Sequence, residues 1–501
     1  MTLPRFDRGS SFEKQFPDEV IDGLGPRLES LRARLTQLAN PIRDSSAIDL
    51  SEGMTSVDSP SDDRSFFRLP ERQYAAYVAR REASDLGRVF AVANGLHDHV
   101  DAVVVCSDPG MAAGARALMQ ACCDPYHNER TRAMRGSKPR MYFQPNPHEN
   151  DALASLLTRL RQPHAEQTCE QRWAIVSLEP GDDLGRSTSH TDADQAQRGR
   201  QYLVDQLRQT LDQASPHSNL DPALADFPLA DPARAEKTQP EQADVKQAGI
   251  EQDLARFVVS IGGSKSIASL SHVGGANGMP PARQRFSLTP DLGPAWTVLS
   301  PAGMLPAAML GLDCMKLLEG AVVINDHFQD TPLADNIAMR LAASNYLAAR
   351  GGLRHRLIST WSNALAGFGD WCGRLTQDSA ATDATTTVLV NPSELERFRA
   401  LCRVADGNRL VQHLVAQKSK CDAILGADSR SMDAMMQATY RQTLDEIESP
   451  SFSLTLSHID TFTLGQLFQL TMIATWIEKE LRCQDECGKT ESMPDQQTGP
   501  T

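Results

Sequence analysis

The sequence predicts an α/β protein with a parallel sheet in each half of the chain. Short β-branched runs of the buried-strand type, such as Val103-Val104-Val105-Cys106, stop at turn residues and are followed by helices. The strand-then-helix alternation recurs along the chain, which calls for right-handed βαβ crossovers and a parallel sheet. A length of 501 residues exceeds what one small core organises, so two domains are expected.

The first sixty or so residues are mostly polar, with one helix expected over 26–38. Apolar residues at three- and four-residue steps, Tyr74, Tyr77, Val78, Leu86, Val89, Phe90 and Val92, predict a long amphipathic helix over 68–98. The strand at 103–106 ends at Ser107-Asp108-Pro109-Gly110, and a helix of small residues follows through Met119. Strands at 141–143, 173–178 and 257–261 repeat the grammar, the first leading to a helix over 150–160 and the second to one ending near Leu211. The stretch 213–252 is rich in Pro, Ala, Asp and Gln and reads as a polar insertion or linker. Beyond it, helices are expected over 305–318, 336–349, 361–375 and 464–481, and strands at 356–360, 388–390 and 410–415.

The organisation expected is therefore an extension over 1–66 and a first α/β domain over 67–212. The linker at 213–252 follows, then a unit over 253–482 containing the second α/β domain, then a disordered tail from 483 to 501.

Composition narrows the function. No apolar run reaches the roughly eighteen residues of a membrane span, and Met1 to Lys14 has no apolar signal core, so no membrane association is expected. A formal net charge of -14 argues against a nucleic-acid surface but not against an anionic small substrate. The ten cysteines are scattered, as for reduced thiols in a cytoplasmic protein. Cys483-x-x-x-Cys487 lacks a second ligand pair, and neither a metal nor a cofactor is expected.

Several segments carry a resemblance, in order from about residue 68 to 482. They are Gly114-Ala115-Arg116-Ala117-Leu118 with Asp124-Pro125-Tyr126-His127-Asn128-Glu129, then Val298-Leu299-Ser300-Pro301-Ala302-Gly303-Met304-Leu305-Pro306, then Trp361-Ser362 with Leu365, Phe368, Trp371 and Leu375, and finally Thr463-Leu464-Gly465-Gln466-Leu467-Phe468. The chain resembles the glucose-6-phosphate isomerase family of bacterial type. That resemblance implies two doubly wound parallel-sheet domains of the sugar-isomerase type and a usual homodimer. It also implies interconversion of glucose 6-phosphate and fructose 6-phosphate through a cis-enediol, with a sugar phosphate as ligand.

Such an isomerisation needs a phosphate cradle, a base for the proton moved between C1 and C2, groups that open the ring, and positive charge near the enediolate. The resemblance places these roles on particular residues, and most differ from the family pattern. Where the family has a Gly-Gly-Ser turn stand Pro109, Gly110 and Met111, and proline offers no N–H. The second phosphate loop corresponds to Glu179-Pro180-Gly181-Asp182-Asp183, whose carboxylates would repel a dianion. The signature arginine corresponds to Ala295 in Gly293-Pro294-Ala295-Trp296-Thr297, with Arg283 and Arg285 well upstream.

The catalytic glutamate corresponds to Asp378, one methylene shorter, a shift expected to cost about a hundredfold in rate. Asp378 reads equally as an acid at a helix end. The stretch matching the ring-opening histidine contains Cys402 and Arg403 but no histidine, and His413 beyond it reads as structural. Lys489 in the tail reads as solvated. Gly262-Gly263-Ser264-Lys265-Ser266 follows a strand but lacks P-loop spacing.

Asp378 is thus the catalytic candidate, and Gly110, Gly181 and Thr297 are the substrate-binding candidates. The expectation is a family member with weak or lost isomerase activity, and the alternative is a non-catalytic sugar-phosphate-binding or regulatory paralogue.

Overall fold

The computed structural model describes residues 2–37, 65–144, 149–161, 173–179, 190–214, 257–263, 284–288, 292–379, 384–391, 393–403, 408–425 and 430–491. Among these the strands build two five-stranded sheets and one short hairpin. In chain order the first sheet comprises β2 (Ala102–Cys106), β3 (Arg140–Phe143), β4 (Trp173–Leu178), β5 (Val258–Gly262) and β6 (Arg285–Ser287). Their spatial order is β3-β2-β4-β5-β6 and every pairing is parallel. The second sheet comprises β1 (Arg5–Arg8), β7 (His355–Thr360), β8 (Thr385–Val390), β9 (Arg409–Ala416) and β12 (Ser451–Leu456), in the order β1-β12-β9-β7-β8. Only β1 runs antiparallel, along β12. β10 (Ile424–Leu425) and β11 (Arg430–Ser431) form the separate hairpin.

The central strands are apolar on both faces because helices cover both sides of each sheet; β2 and β4 are buried at every position. The helices are α1 (Ser10–Gln15), α2 (Asp18–Asp22), α3 (Gly25–Gln37), α4 (Ser65–Arg80), α5 (Asp85–His97), α6 (Pro109–Cys122), α7 (Asn150–Arg161) and α8 (His190–Ala214). They continue with α9 (Pro301–Met309), α10 (Cys314–Asp330), α11 (Ile337–Arg350), α12 (Ala366–Asp378), α13 (Leu395–Arg403), α14 (Met432–Glu446) and α15 (Thr461–Glu491). One contiguous apolar core runs through both sheets, from Val104 and Ile175 to Ile358 and Leu414.

Local capping explains where the structure departs from sequence periodicity. The helix expected over 68–98 is two helices, because Ser84 caps a new start by accepting from the Gly87 amide at 3.0 Å. The helix expected over 305–318 likewise divides: Gly311 adopts a positive φ of 75° and Asp313 caps α10 through the Lys316 amide. The helix expected to end at 481 continues to Glu491, so the start of the supposed disordered tail is helical. The polar N-terminal segment contributes β1, which closes an edge of the second sheet. Most of the 213–252 stretch lies outside the described residues.

The tightest helix contact is reciprocal. A Cβ at Gly320 on α10 would lie 2.0 Å from the Phe462 carbonyl oxygen, and one at Gly465 on α15 would lie 1.9 Å from the Leu317 carbonyl oxygen. Each helix therefore meets the other's backbone where a side chain is absent, and neither backbone can yield cheaply. Gly320→Ala or Gly465→Ala should each cost about 2–4 kcal/mol in urea unfolding. Gly373→Ala, whose Cβ would meet Thr386 Cγ2 at an ordinary 3.4 Å, should be neutral or mildly stabilising. Equal effects at all three positions would contradict the close crossing.

Candidate functional site

Three segments far apart in sequence converge beyond the C-terminal end of β2. The first is the turn Ser107-Asp108-Pro109-Gly110, which starts α6; Asp108 caps the helix by accepting from the Met111 amide at 3.0 Å, and Pro109 occupies the first turn. The second is the 3₁₀ helix Pro294–Leu299, buried throughout. The third is the C-terminus of α12, which ends in Asp378.

Asp378 Oδ2 accepts the Ala295 N–H at 2.8 Å, and Trp371 Nε1, from the same helix, donates to the Ala295 carbonyl at 2.8 Å. Both backbone groups of Ala295 are thus held by α12 side chains. A Cβ at Gly110 would stand 3.0 Å from Pro294 Cβ and 3.7 Å from Asp378 Oδ2, so the absence of a side chain there lets the turn approach the carboxylate. Burial pushes the Asp378 carboxyl up to about 6; the Ala295 amide opposes this, the Asp108 charge adds to it, and Arg374 opposes it.

The structure therefore brings Asp378, Gly110 and Ala295 together. Thr297 lies in the same 3₁₀ helix, but its hydroxyl donates to the Pro294 carbonyl at 2.7 Å and is buried. Gly181 lies outside the described residues, as do Arg283 and the Ser264-Lys265-Ser266 part of the glycine run. Glu179 forms a buried ion pair with Arg200 at 2.8 Å. Arg285 sits on β6, where its carbonyl accepts from Arg88. Lys489 falls in the last turn of α15.

His413 is enclosed by Trp361, Phe398 and Tyr440; its Nδ1 faces Trp361 Nε1 at 3.2 Å, and burial lowers its pKa to about 3. A neutral imidazole fixed inside an aromatic cage cannot exchange protons with a ligand outside it. Among the described residues no three His, Cys, Asp or Glu side chains gather as a metal site, and no helix is long and apolar enough to cross a membrane.

Sequence reasoning passed over Arg374. Asp370, Arg374 and Asp378 follow at four-residue steps and share one face of α12, and that spacing was the available signal. Beside Asp378, Arg374 and Asp370 face a cleft of about 1140 Å³. Its walls carry Ser107 after β2, Gln144 after β3, Ser362 after β7 and Lys418 after β9. Ligands of open α/β sheets bind outside such C-terminal strand ends, where the strand order reverses.

Two parallel sheets of this topology, with a cleft at their strand ends, define the class: a sugar-isomerase-type α/β fold. A hypothetical protein from Thermus thermophilus superposes with a TM-score of 0.64 at 18% identity, covering 97% of this chain and 99% of that one. A glucose-6-phosphate isomerase from Chlamydia trachomatis superposes with a TM-score of 0.59 at 14% identity, covering 95% and 87%. No family model matches the chain. Glucose-6-phosphate isomerase of Pediococcus pentosaceus is 25% identical over 181 residues, 35% of this chain and 40% of that protein. That of Staphylococcus saprophyticus is 27% identical over 182 residues, 35% and 41%. The match thus spans about two fifths of the length of these curated relatives. The chain is a distant relative of the glucose-6-phosphate isomerases.

The raised carboxyl gives a pH signature. Because the folded pKa of Asp378 lies above its unfolded value, the native state holds the proton more tightly. The associated stability is complete below about 4 and is lost as pH rises through about 6. Asp378→Asn, whose side-chain carbonyl can still accept from Ala295, should therefore stabilise the protein at pH 7.5 by about 1–2 kcal/mol, allowing for partial solvent screening. The gain should vanish near pH 4. Thermal unfolding across that range measures it, and a gain independent of pH would contradict the assignment.

Proposed function

We propose that this protein is a glucose-6-phosphate isomerase homologue in which the family reaction, glucose 6-phosphate to fructose 6-phosphate, is weak or lost. The observation that carries the reading is the engagement of Asp378. The carboxylate at the position matching the family's base accepts the backbone N–H of Ala295, the residue at the position matching the family's arginine. A base must be able to reach C1 and C2, and a cation must face the oxyanion that develops.

Here the charges bearing on Asp378 are the Asp108 carboxylate and Arg374, which lies one helical turn back and lines the neighbouring cleft. An enediolate beside two carboxylates is disfavoured electrostatically. His413 is caged, and Glu179 is paired with Arg200 rather than opposed to a phosphate cradle. The same reading keeps a sugar phosphate as ligand, a homodimer as assembly and the cytoplasm as location, each resting on the family relationship.

A second reading, a non-catalytic sugar-phosphate-binding or regulatory paralogue, is favoured by the size of the cleft beside Asp378, which is ample for such a ligand. Purified protein in a coupled assay with fructose 6-phosphate should turn over at least about a thousandfold more slowly than an intact isomerase, the rate equivalent of several kcal/mol of lost oxyanion and base stabilisation. Asp378→Asn should leave the residual rate unchanged. Robust turnover abolished by that substitution would overturn the proposal.

A further inference from the structure

The turn between β12 and α15, Ser457-His458-Ile459-Asp460, carries three hydrogen-bonded side chains that take no part in the Asp378 site. Ser457 Oγ lies 2.9 Å from His458 Nδ1, and His458 Nε2 lies 2.9 Å from Asp460 Oδ2. The proton positions follow from the partners. A carboxylate only accepts, so in the neutral imidazole Nε2 carries the hydrogen and Nδ1 is a bare acceptor. Thr2 Oγ1 donates to Ser457 Oγ at 3.1 Å, which leaves the Ser457 hydroxyl to donate to His458 Nδ1. Burial works to raise the Asp460 carboxyl, but the Thr463 amide and hydroxyl and His458 outweigh it and hold the carboxyl below its ordinary range.

The arrangement is held by the elements on either side of it. Asp460 Oδ1 accepts the Thr463 N–H at 2.8 Å and caps α15, while the other oxygen orients the imidazole. The Lys418 N–H, just past β9, donates to the Ser457 carbonyl at 3.2 Å. Ile459 is buried and lines the cleft, so the turn sits at its rim. α15 begins at Thr461, directly after Asp460, and its first-turn N–H groups therefore adjoin the turn.

We propose that this turn is an acyl-transfer site for small carboxylic esters, with Ser457 as nucleophile, His458 as its general base and Asp460 positioning the base. Ser457 Oγ bonds to the ester carbonyl carbon as His458 Nδ1 takes the hydroxyl proton. The carbonyl electron pair collects on oxygen, where helix N-terminal amides favour it. That pair then re-forms the double bond, the C–O bond to the alcohol breaks, and the imidazolium gives its proton to the departing alkoxide. A water deprotonated by the same imidazole attacks the acyl-serine, releasing the carboxylic acid and restoring the serine. His458 is exposed, so the site suits short, activated acyl groups. The proposal does not rest on the state of isomerisation: fructose 6-phosphate turnover bears on Asp378, and serine acylation bears on this turn.

Treatment of the full chain with a fluorophosphonate and with p-nitrophenyl acetate, followed by peptide mass spectrometry, tests it. Both adducts are expected on Ser457, and Ser457→Ala should abolish them together with the nitrophenolate burst. His458→Gln should slow labelling at least about tenfold. Asp460→Asn, which keeps a side-chain oxygen for the α15 cap, should also slow it about tenfold. Nitrogen NMR of the His458 ring should show the Nε2–H tautomer in the native chain and a mixture in Asp460→Asn, a change that a merely structural role for Asp460 would not produce. No adduct on Ser457, labelling spread evenly over surface serines, an unchanged rate in His458→Gln, or an unchanged tautomer in Asp460→Asn would overturn the site.

Discussion

The clamp on Ala295 is the constraint on which the site depends. α12 starts after a strand of the second sheet, whereas the 3₁₀ helix carrying Ala295 packs against α6 of the first. By holding both the N–H and the carbonyl of one residue, Asp378 and Trp371 tie the two halves of the molecule at a single peptide. The tie satisfies backbone groups that would otherwise be buried without partners, which is costly. The same tie commits the carboxylate. A side chain that supports the junction of two sheets is poorly placed to serve as a mobile base.

Elsewhere the buried charges also build structure. Asp101 lies between Arg135 and Arg140, each at 2.7 Å, and the Arg140 amide donates to the Asp101 carbonyl, which fastens the 124–139 segment and the start of β3 to the residue that precedes β2. Arg356 on β7 pairs with the fully buried Glu478 on α15. Removing one member of such a pair would strand an uncompensated charge. Arg116 and Arg374 differ from these because they line a cleft, where the Asp370 carboxylate bears on both of them.

Much of the architecture was legible in the sequence because parallel strands covered on both faces read as continuous apolar runs. Val103-Val104-Val105-Cys106 became β2, and 173–178 became β4. Strands without that signature were not legible. β12 reads Ser-Phe-Ser-Leu-Thr-Leu, and its hydroxyl residues are buried only because a helix layer covers them. β1 reads Arg-Phe-Asp-Arg, and its strand character comes from pairing with β12. Helix ends at Ser84 and Asp313 were visible as capping residue types, yet periodicity ran through them.

The candidate site divides in the same way. Side-chain identity is local, so the sequence by itself determined that alanine stands at position 295, aspartate at 378, and proline and glycine at 109 and 110. It also determined the alternation of strands and helices, since periodicity and turn chemistry act over a few residues. What Asp378 touches was decided by the tertiary structure, because Ala295 lies 83 residues away in the chain. So was the cage around His413, and so was the meeting of Arg116 with Arg374 in one cleft. Hydrogen-bond partners, burial and the fields that shift protons arise between segments distant in sequence, and only the packed fold brings those segments within reach of one another.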